Sequence, residues 1–376
     1  MRQFNDCGKI VLNLSELSLN KQQIGVYKMQ RTNNFDFLRL MTAILVVYAH
    51  SFPITGNTSK GGILGIDAGQ LRVQAFFAIS GYLVSRSWIS DPHVVRYLSK
   101  RALRIFPALA AATVFTILIV GPLSTSLSLS EYFMHPYTHS YIGNVALNIQ
   151  HFLPGAFENS NNVKGVNGSV WTLPHEMFLY LLLPLLAVIR LDKIAALLYI
   201  PLIFFLTYVA LNYSVGDLPL VYSASPVQLA EVAPYFLMGS LFATWMRENQ
   251  FNIYIAFFLI VIMNTIPPGY AKSIFLVFVV SYAWVSFGLG YHRVFQIPKK
   301  IGDLSYGIFL YSFPVQQLLV HYGFYPSNAY ANFFAATVIS AALAFASWWM
   351  IEVPFSKLKP RKAKIPRAEP DIYLAA

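Results

Sequence analysis

The sequence predicts an all-α integral membrane protein with about ten transmembrane helices, and three observations lead to that prediction. Of the 376 residues, 56% are hydrophobic and only 11% are charged, whereas soluble domains carry about 25% charged residues. Many apolar segments approach the roughly 20 residues that an α-helix needs to cross a bilayer. The basic residues are also distributed unevenly between alternate connections. These features together predict one membrane domain whose two termini lie on the same side.

The predicted spans follow one another closely, except for one long interval after the third. They lie at about 36–54, 69–88, 103–122, 170–189, 194–213, 227–246, 252–266, 271–290, 303–322 and 331–351. The seventh span is the weakest. We therefore divide the chain into an N-terminal extension at 1–30, a transmembrane domain at 31–356 and a basic tail at 357–376. Both terminal segments are expected to be disordered and cytoplasmic.

The positions of Lys and Arg predict this orientation. Of 27 basic residues, 22 lie in the tails or in connections on the same side as the tails, four lie on the opposite side, and Arg39 lies within the first span. Because connections rich in Lys and Arg stay in the cytoplasm, both termini are predicted to be cytoplasmic. The net charge of +11 follows from this asymmetry, so it gives no reason to expect nucleic-acid binding.

The N-terminal extension and the cysteine content exclude some alternatives. A single cysteine, Cys7, provides neither a disulfide framework nor a cysteine-based metal site. Residues 1–28 contain no continuous apolar stretch and no small-residue cleavage site, so they do not resemble a signal peptide. Met29 directly precedes the first span and is a candidate start. We expect a protein that lacks residues 1–28 to remain active, and an inactive truncation that still inserts normally would contradict this.

Two ionisable side chains share one face of the first span. Arg39 and His50 are eleven residues apart, which at about 100° per residue is three turns plus roughly 20°. A rise of about 1.5 Å per residue separates them by about 16 Å, half of a ~30 Å hydrocarbon core. Such groups usually mark the path of a polar ligand. Imidazole suits acid–base chemistry near neutrality, so His50 is the candidate base; a histidine hydrogen-bonded between helices is the alternative.

Arginines near the cytoplasmic ends of two spans are candidates for binding phosphate, because guanidinium presents a planar pair of donors. Arg101 and Arg104 lie on one face of the third helix at its cytoplasmic entry, where a basic connection at 90–104 ends. Arg39 lies at the start of the first span. The alternatives are ordinary flanking charge for Arg101 and Arg104, and an ion pair with Asp36 for Arg39.

The second and fourth spans add polar candidates. Glu176 is predicted to lie at a depth similar to that of His50, where its carboxylate could orient the imidazole or bind a sugar hydroxyl. An ion pair between Glu176 and Arg72 is the alternative. Tyr82 offers a hydroxyl, although the adjacent Ser80-Gly81 pair is more typical of close helix packing.

The long interval at 123–169 contains only Lys164 as a basic residue. Intervals of this length are usually functional or disordered. We favour a partly ordered lid that contacts a neutral polar ligand. His135 and His139 are four residues apart, but Pro136 lies between them and no third ligand is evident, so the sequence predicts no metal site.

Six short motifs resemble the acyltransferase-3 family, the membrane O-acyltransferases that modify bacterial surface polysaccharides and lipopolysaccharide. Each motif alone is modest, but six in family order are specific, and the resemblance covers essentially all of the chain after residue 30. The motifs are Asp36-Phe-Leu-Arg39 followed by His50, Phe76-Phe-Ala-Ile-Ser-Gly-Tyr-Leu83, Arg101-Ala-Leu-Arg-Ile-Phe-Pro107, Trp171-Thr-Leu-Pro-His-Glu176, Gly302-Asp-Leu-Ser-Tyr306-Gly-Ile-Phe-Leu-Tyr311 and Ile351-Glu-Val-Pro354.

The resemblance implies a multi-pass protein of the bacterial inner membrane. It would take an acetyl group from cytoplasmic acetyl-CoA and acylate a glycan outside, either a polysaccharide or a lipid-linked oligosaccharide such as O-antigen. The Arg-and-His motif maps onto Arg39 and His50, and the paired arginines onto Arg101 and Arg104. No hydrolase-like domain follows the tenth span, which implies the stand-alone form. Many relatives have His before the helical proline, whereas this chain has Phe313 before Pro314.

These expectations combine into one mechanism. Arg101, Arg104 and Arg39 hold the CoA phosphates, and the pantetheine arm, about 15–20 Å long, brings the thioester to His50, comparable with the ~16 Å rise along the first span. His50 deprotonates the sugar hydroxyl, and Glu176 orients the imidazole of His50. Positioned hydrogen-bond donors stabilise the oxyanion. An acyl-His intermediate is equally compatible. The candidates for substrate or oxyanion contact are Asp36, Arg72, Tyr82 and Tyr306.

Two other classes of membrane protein remain as alternatives. A transporter or flippase for lipid-linked sugar would also use ionisable residues within the membrane, but it often contains internal repeats, which this sequence lacks. A polysaccharide polymerase would need basic residues in its large outer loop to bind polyprenyl phosphate, and only Lys164 is present there.

Overall fold

The computed structural model describes residues 34–57, 67–158, 160, 162–188, 194–290, 297–298 and 300–360. This part of the chain is helical, and pairing between extended residues is limited to two isolated bridges there, Thr125 with Ala156 and Val221 with Ala224. The predicted all-α class is therefore confirmed. The predictions for the extension at 1–30, for Cys7 and Met29, and for the tail beyond residue 360 lie outside the described residues.

Ten helices of 13 or more residues lie in the described part, and each overlaps one predicted span. They are α1 Phe35–Ile54, α2 Ala68–Ser90, α3 Val94–Phe115, α4 Thr172–Val188, α5 Ile194–Asn212, α6 Pro226–Trp245, α7 Ile253–Thr265, α8 Tyr270–Gly288, α9 Ser305–His321 and α10 Ala329–Ser347. A π-turn and a short helix extend α3 to Ser124 and α10 to Ser356.

Four of these helices, with their extensions, are long and apolar enough to cross a membrane by length and composition alone. Their ranges are Phe35–Ile54, Val94–Ser124, Tyr270–Gly288 and Ala329–Ser356, and two shorter apolar helices lie at Leu198–Asn212 and Ile253–Thr265. These helices identify a membrane protein. The count of ten spans and the cytoplasmic position of both termini stay predictions.

The boundary of the third helix was predicted wrongly. α3 begins at Val94, so most of the expected connection at 90–104 is helical. His93 caps this helix by accepting a hydrogen bond from the backbone N–H of Arg96 (3.4 Å), and Asp91 binds the side chains of Arg96 and Lys100 (2.5 and 3.0 Å). Basic side chains can extend from a helix end towards water, so a polar stretch need not be a loop.

Small residues allow α2 and α6 to approach closely. A Cβ atom on Gly81 would lie 2.1 Å from the carbonyl oxygen of Phe236, and one on Gly239 would lie 2.2 Å from that of Ala78. Because backbone stands on both sides of these contacts, a larger side chain cannot be accommodated by a simple rotation. The packing role predicted for Ser80-Gly81 therefore agrees with the geometry, and it fixes the position of α2 in the bundle.

The interval between α3 and α4 forms a compact segment. It contains the helices Leu129–Met134, Pro136–Ser140 and Tyr141–Ala146. With the end of α3, it has its own apolar core, made by Val120, Tyr132, Tyr141, Leu153, Ala156, Phe157 and Val166. Gln317 on α9 donates to the carbonyl oxygens of Val163 and Gly165 (2.7 and 2.8 Å), which ties the segment to the bundle.

Candidate functional site

A cavity of about 310 Å³ runs along the first two helices. Its lining includes α1 from Arg39 to Val46 and α2 from Arg72 to Val84. Twelve residues of α2 correspond to a rise of about 18 Å. We call the end where α1, α3 and α9 begin the basic end, and the end where α2 and α4 begin, next to the segment between α3 and α4, the loop end. The cavity thus extends from the basic end towards the loop end.

Two of the predicted arginines are partly neutralised at the basic end. A guanidinium nitrogen of Arg104 lies 2.7 Å from the carboxylate of Asp303, which lies two residues before the start of α9. Arg39 lies 3.0 Å from Asp36 and 4.0 Å from Asp303. The ion pair that the sequence left open for Arg39 is therefore present. Asp36 itself has a side chain that is 72% exposed and does not line the cavity.

Arg101 has a different environment from Arg104. Its Nε is buried and has no hydrogen-bond partner within the described residues, and its guanidinium carbon lies 5.9 Å from the centre of the Tyr180 ring. Lys100 and Lys359 also line this end of the cavity, and Lys100 is paired with Asp91. An unpaired donor among several cations fits a ligand that carries more than one phosphate.

Lys359 was not singled out in the sequence. It follows α10 in a stretch that looked like an ordinary basic tail, and only the fold brings it to the cavity. Its position after the Ile351-Glu-Val-Pro354 motif is the one signal that could have drawn attention to it. Charge alone could not separate Lys359 from the other basic residues near it.

Glu176 lines the middle of the cavity from the first turns of α4. It is 5% exposed, and its carboxylate accepts a hydrogen bond from the hydroxyl of Tyr180, one turn later on the same helix. The structure thus brings Glu176 to Tyr180, whereas the sequence suggested His50 or Arg72 as its partner. A carboxylate can bind a hydroxyl of a ligand in this position, since it accepts at both oxygens.

His50 lies at the loop end, immediately behind Arg72. It is 8% exposed, so it faces the protein interior. A guanidinium nitrogen of Arg72 lies 2.8 Å from its Nε2, and the hydroxyl of Ser169 lies 3.4 Å from its Nδ1. Guanidinium can only donate, so Nε2 accepts and the ring is neutral, with its proton on Nδ1. The nitrogen that could act as a base therefore faces the side chain that lines the cavity.

Arg72 holds this position through backbone contacts. Its Nε donates to the carbonyl oxygen of Gly69 (3.0 Å). The guanidinium nitrogen that contacts His50 also donates to the carbonyl oxygen of Val46 (3.3 Å). The ring of Phe313 packs edge-on against the imidazole, with centroids 4.9 Å apart. Phe313 precedes Pro314, where the family resemblance expects histidine, so this departure contacts the candidate base directly.

The two candidate tyrosines lie elsewhere. Tyr306 lines the basic end, where its hydroxyl donates to the carbonyl oxygen of Ile105 (3.1 Å) and its ring lies beneath Arg104. Tyr82 is buried, stacks on Phe35 and does not line the cavity. The side chain that the structure places beside His50 is therefore Arg72, which was among the candidates, together with Ser169, which no sequence signal identified.

The described residues contain no group of three or more His, Cys, Asp or Glu side chains that could hold a metal ion. The polar groups of the site are arginines, lysines, an imidazole, and a carboxylate that accepts a hydrogen bond from a tyrosine. This set suits a phosphate-bearing ligand at one end and the movement of a proton at the other.

Comparisons with known proteins cover most of the chain. Residues 32–353 match the family described as Acyltransferase domain. The chain is 31% identical over 342 residues to the O-acetyl transferase of Shigella phage Sf6, a match that covers 87% of this chain and 97% of the phage protein. It is 27% identical over 368 residues to Nodulation protein 10 of Rhizobium leguminosarum bv. viciae, covering 87% and 94%. No solved structure gives a significant match.

Proposed function

We propose a function from one premise: the chain belongs to the acyltransferase domain family. It is an O-acyltransferase of the bacterial inner membrane, which moves an acyl group, most simply acetyl, from cytoplasmic acyl-CoA to a hydroxyl of a glycan on the other side. The glycan is a surface polysaccharide, a lipopolysaccharide or a lipid-linked oligosaccharide. The name of the phage relative supports an acetyl group. One observation carries the proposal, namely a single cavity with several cations at one end and a neutral imidazole behind Arg72 at the other.

The basic end is the donor site of this proposal. CoA carries phosphates at one end of a flexible arm, and Arg101 offers an unpaired guanidinium nitrogen to them. Arg104, Arg39 and Lys359 complete a positive surface around it. Bidentate contact between guanidinium and phosphate gives orientation as well as attraction. The phosphates would stay at this end while the arm enters the cavity.

The length of the cavity matches that arm. The rise from Val84 to Arg72 is about 18 Å, and pantetheine is about 15–20 Å long, close to the rise along α1 from Arg39 to His50, about 16 Å. A thioester at the end of the arm would therefore reach Arg72 and His50. Carrying the acyl group through protein in this way avoids exposing a charged donor to lipid.

The chemistry follows from the tautomer of His50. The acceptor hydroxyl gives its proton to Nε2 while its oxygen forms a bond with the thioester carbon. The carbon–sulfur bond then breaks, and the leaving thiolate takes the proton back from the imidazolium. General-base help of this kind contributes about 10²- to 10⁴-fold. Transfer through an acyl-His intermediate uses the same nitrogen.

Arg72 has to release Nε2 before a hydroxyl can approach it, since it occupies that position at 2.8 Å. A modest rotation would direct its guanidinium to the thioester oxygen, where negative charge develops. A preorganised donor at such an oxygen is worth about 10²- to 10³-fold in rate. Ser169 meanwhile keeps Nδ1 as the protonated nitrogen.

The test uses membrane vesicles that contain the full chain, with labelled acetyl-CoA supplied on the cytoplasmic face. We expect label to appear in glycan, and a His50→Ala protein to insert normally, to bind CoA and to transfer no acetyl group. His321→Ala is the matched control, because His321 is exposed at the end of α9 and does not line the cavity. Normal transfer by the His50 variant would exclude the catalytic role. Movement of labelled glycan without consumption of acetyl-CoA would indicate a transporter instead.

A further inference from the structure

A second cavity, of about 280 Å³, lies at the loop end. The beginnings of α2, α6 and α8 and the end of α5 surround it. It shares two lining residues, Arg72 and Val73, with the first cavity. Trp171 lines the second cavity, and the next residue, Thr172, lines the first. The two cavities are therefore neighbours, and one of the two residues that line both of them, Arg72, contacts His50.

The chemistry of the second cavity differs from that of the first. All residues that line the second cavity belong to the described part of the chain, and Arg72 is the one cation among them. The nitrogens of Arg72 contact His50 and the carbonyl oxygens of Gly69 and Val46. The other polar lining residues carry amide, hydroxyl or carboxylate groups. They are Gln70, Gln74, Thr207, Glu231, Tyr235 and Ser273.

Gln74 provides an independent sign of a ligand. Its side-chain oxygen is buried and has no hydrogen-bond partner among the described residues. Buried polar atoms are almost always paired, so an unpaired acceptor in a cavity wall suggests a donor that arrives with a ligand. Gln74 lies one residue from Val73 and two from Arg72, on the first turns of α2.

These features favour a neutral sugar. Sugar hydroxyls can donate to the Gln74 oxygen and the Glu231 carboxylate, and they can accept from amide and hydroxyl groups. The indole of Trp171 offers an apolar face for a sugar ring. A phosphate would instead be repelled by the carboxylate of Glu231. The one cation in this lining, Arg72, already makes hydrogen bonds to other groups.

We infer that the second cavity, defined by Gln74, Trp171, Glu231 and Ser273, binds a neutral sugar of the acceptor glycan; this inference rests on the proposed function. The sugar lies on one side of Arg72 and the thioester arrives on the other. Rotation of Arg72 joins the two cavities at Nε2 of His50. The sugar hydroxyl then gives its proton to Nε2, its oxygen bonds to the acyl carbon, and the carbon–sulfur bond breaks with the proton returning to sulfur.

The experiment introduces one reactive thiol into the second cavity. The chain has a single cysteine, Cys7, so a Cys7→Ser background allows Gln74→Cys to be modified selectively. Right-side-out vesicles that contain the native glycan are treated with a membrane-impermeant methanethiosulfonate reagent. Ser273→Cys is the second variant, on α8, in case Gln74→Cys does not fold. Met134→Cys is the control, because Met134 is 77% exposed in the segment between α3 and α4 and lines neither cavity.

Two quantities are measured before and after modification: transfer of labelled acetyl to glycan, and binding of labelled CoA by the purified full-length protein. We expect modification of Gln74→Cys or Ser273→Cys to lower transfer at least tenfold and to change CoA binding less than twofold, with no effect on Met134→Cys. Unchanged transfer after complete modification, absence of any modification, or an equal loss of CoA binding would overturn the inference. Failure of the proposed function looks different, because the unmodified Cys7→Ser background would then transfer no acetyl group.

Discussion

The arginines at the two ends of the first cavity have different hydrogen-bond and ion-pair partners. At the basic end, Arg104 and Arg39 lie within 2.7 and 4.0 Å of the same carboxylate, that of Asp303. At the loop end, Arg72 makes no ion pair within the described residues, and its hydrogen bonds go to two carbonyl oxygens and to His50. A half-buried cation that lacks a direct ion pair is costly in a membrane protein.

This difference distinguishes an arginine that stabilises the fold through an ion pair, Arg104, from one for which we propose a role in the reaction, Arg72. Asp303 neutralises part of the basic end and joins α3 to the start of α9, so Arg104 contributes to stability in addition to the ligand binding that we propose. The guanidinium of Arg72 forms no such direct ion pair among the described residues, and its contact with the imidazole is the feature that the proposed reaction explains. Arg101 lies between these two cases, with one nitrogen buried and unpaired.

After the complete loss of transfer expected for His50→Ala, the largest effect should follow from removing the guanidinium of Arg72 at the loop end. Arg72→Met leaves Nε2 of His50 without its partner and removes the donor proposed for the thioester oxygen, so we expect kcat to fall about 100-fold. The affinity for CoA should change less than twofold, because the phosphates bind at the other end. Steady-state kinetics in vesicles separate these quantities. Arg72→Lys keeps a charge and should recover part of kcat; a loss confined to CoA affinity would contradict the assignment.

The next effect concerns Arg101. Arg101→Ala removes an unpaired guanidinium nitrogen from the donor site, and hydrogen bonds to charged groups contribute about 1.5–3 kcal/mol. We therefore expect the affinity for acetyl-CoA to fall roughly 10- to 100-fold, with little change in the melting temperature. Binding of labelled CoA and a thermal melt in detergent measure both. If Arg101→Ala melts much lower and binds CoA normally, the residue is structural.

Replacing Arg104, three residues later, should mainly lower the stability of the protein, whereas replacing Arg101 should mainly lower its affinity for CoA. Arg104→Ala leaves the Asp303 carboxylate, 17% exposed, with Arg39 at 4.0 Å as its remaining ion pair. Breaking a fully buried pair costs about 3–5 kcal/mol; because both groups are partly exposed, we expect about 1–3 kcal/mol of destabilisation. The double variant Arg104→Ala with Asp303→Asn should regain part of this loss. Equal stability of the single variant and the unaltered protein would contradict the comparison.

The smallest effect lies in the connection between α2 and α3. Hydrogen bonds from Arg96 and Lys100 hold the pKa of Asp91 well below its usual range. A lowered pKa stabilises the fold above the unfolded-state value, near ~4, and this contribution is lost as the pH falls towards the folded-state value. Asp91→Asn should therefore lower the melting temperature by roughly 1–3 °C at pH 7, and the difference should shrink progressively below pH ~4. A difference that stays constant with pH would exclude the ionic origin.

Local patterns in the sequence were sufficient for the helical class and for part of the site. A low charge content and long apolar segments require helices in a bilayer, because every backbone polar group must be paired within its own segment. Spacing of eleven residues predicts a shared helical face for Arg39 and His50, and spacing of three does so for Arg101 and Arg104. Arg39, Arg101, Arg104, Arg72, Glu176 and Tyr306 all line the cavity.

The partners of these side chains come from distant parts of the chain, and no local pattern encodes them. Asp303 lies 199 residues from Arg104, and Ser169 lies 119 residues from His50. Glu176 binds Tyr180 and not His50, since that choice depends on how α4 rotates against its neighbours. Periodicity specifies which side chains share a helix face, whereas helix packing specifies what that face meets. The composition and spacing of the residues therefore established a membrane helix bundle with a polar interior, and the packing of the helices established which arginine is neutralised, which lines the cavity with an unpaired nitrogen and which contacts His50.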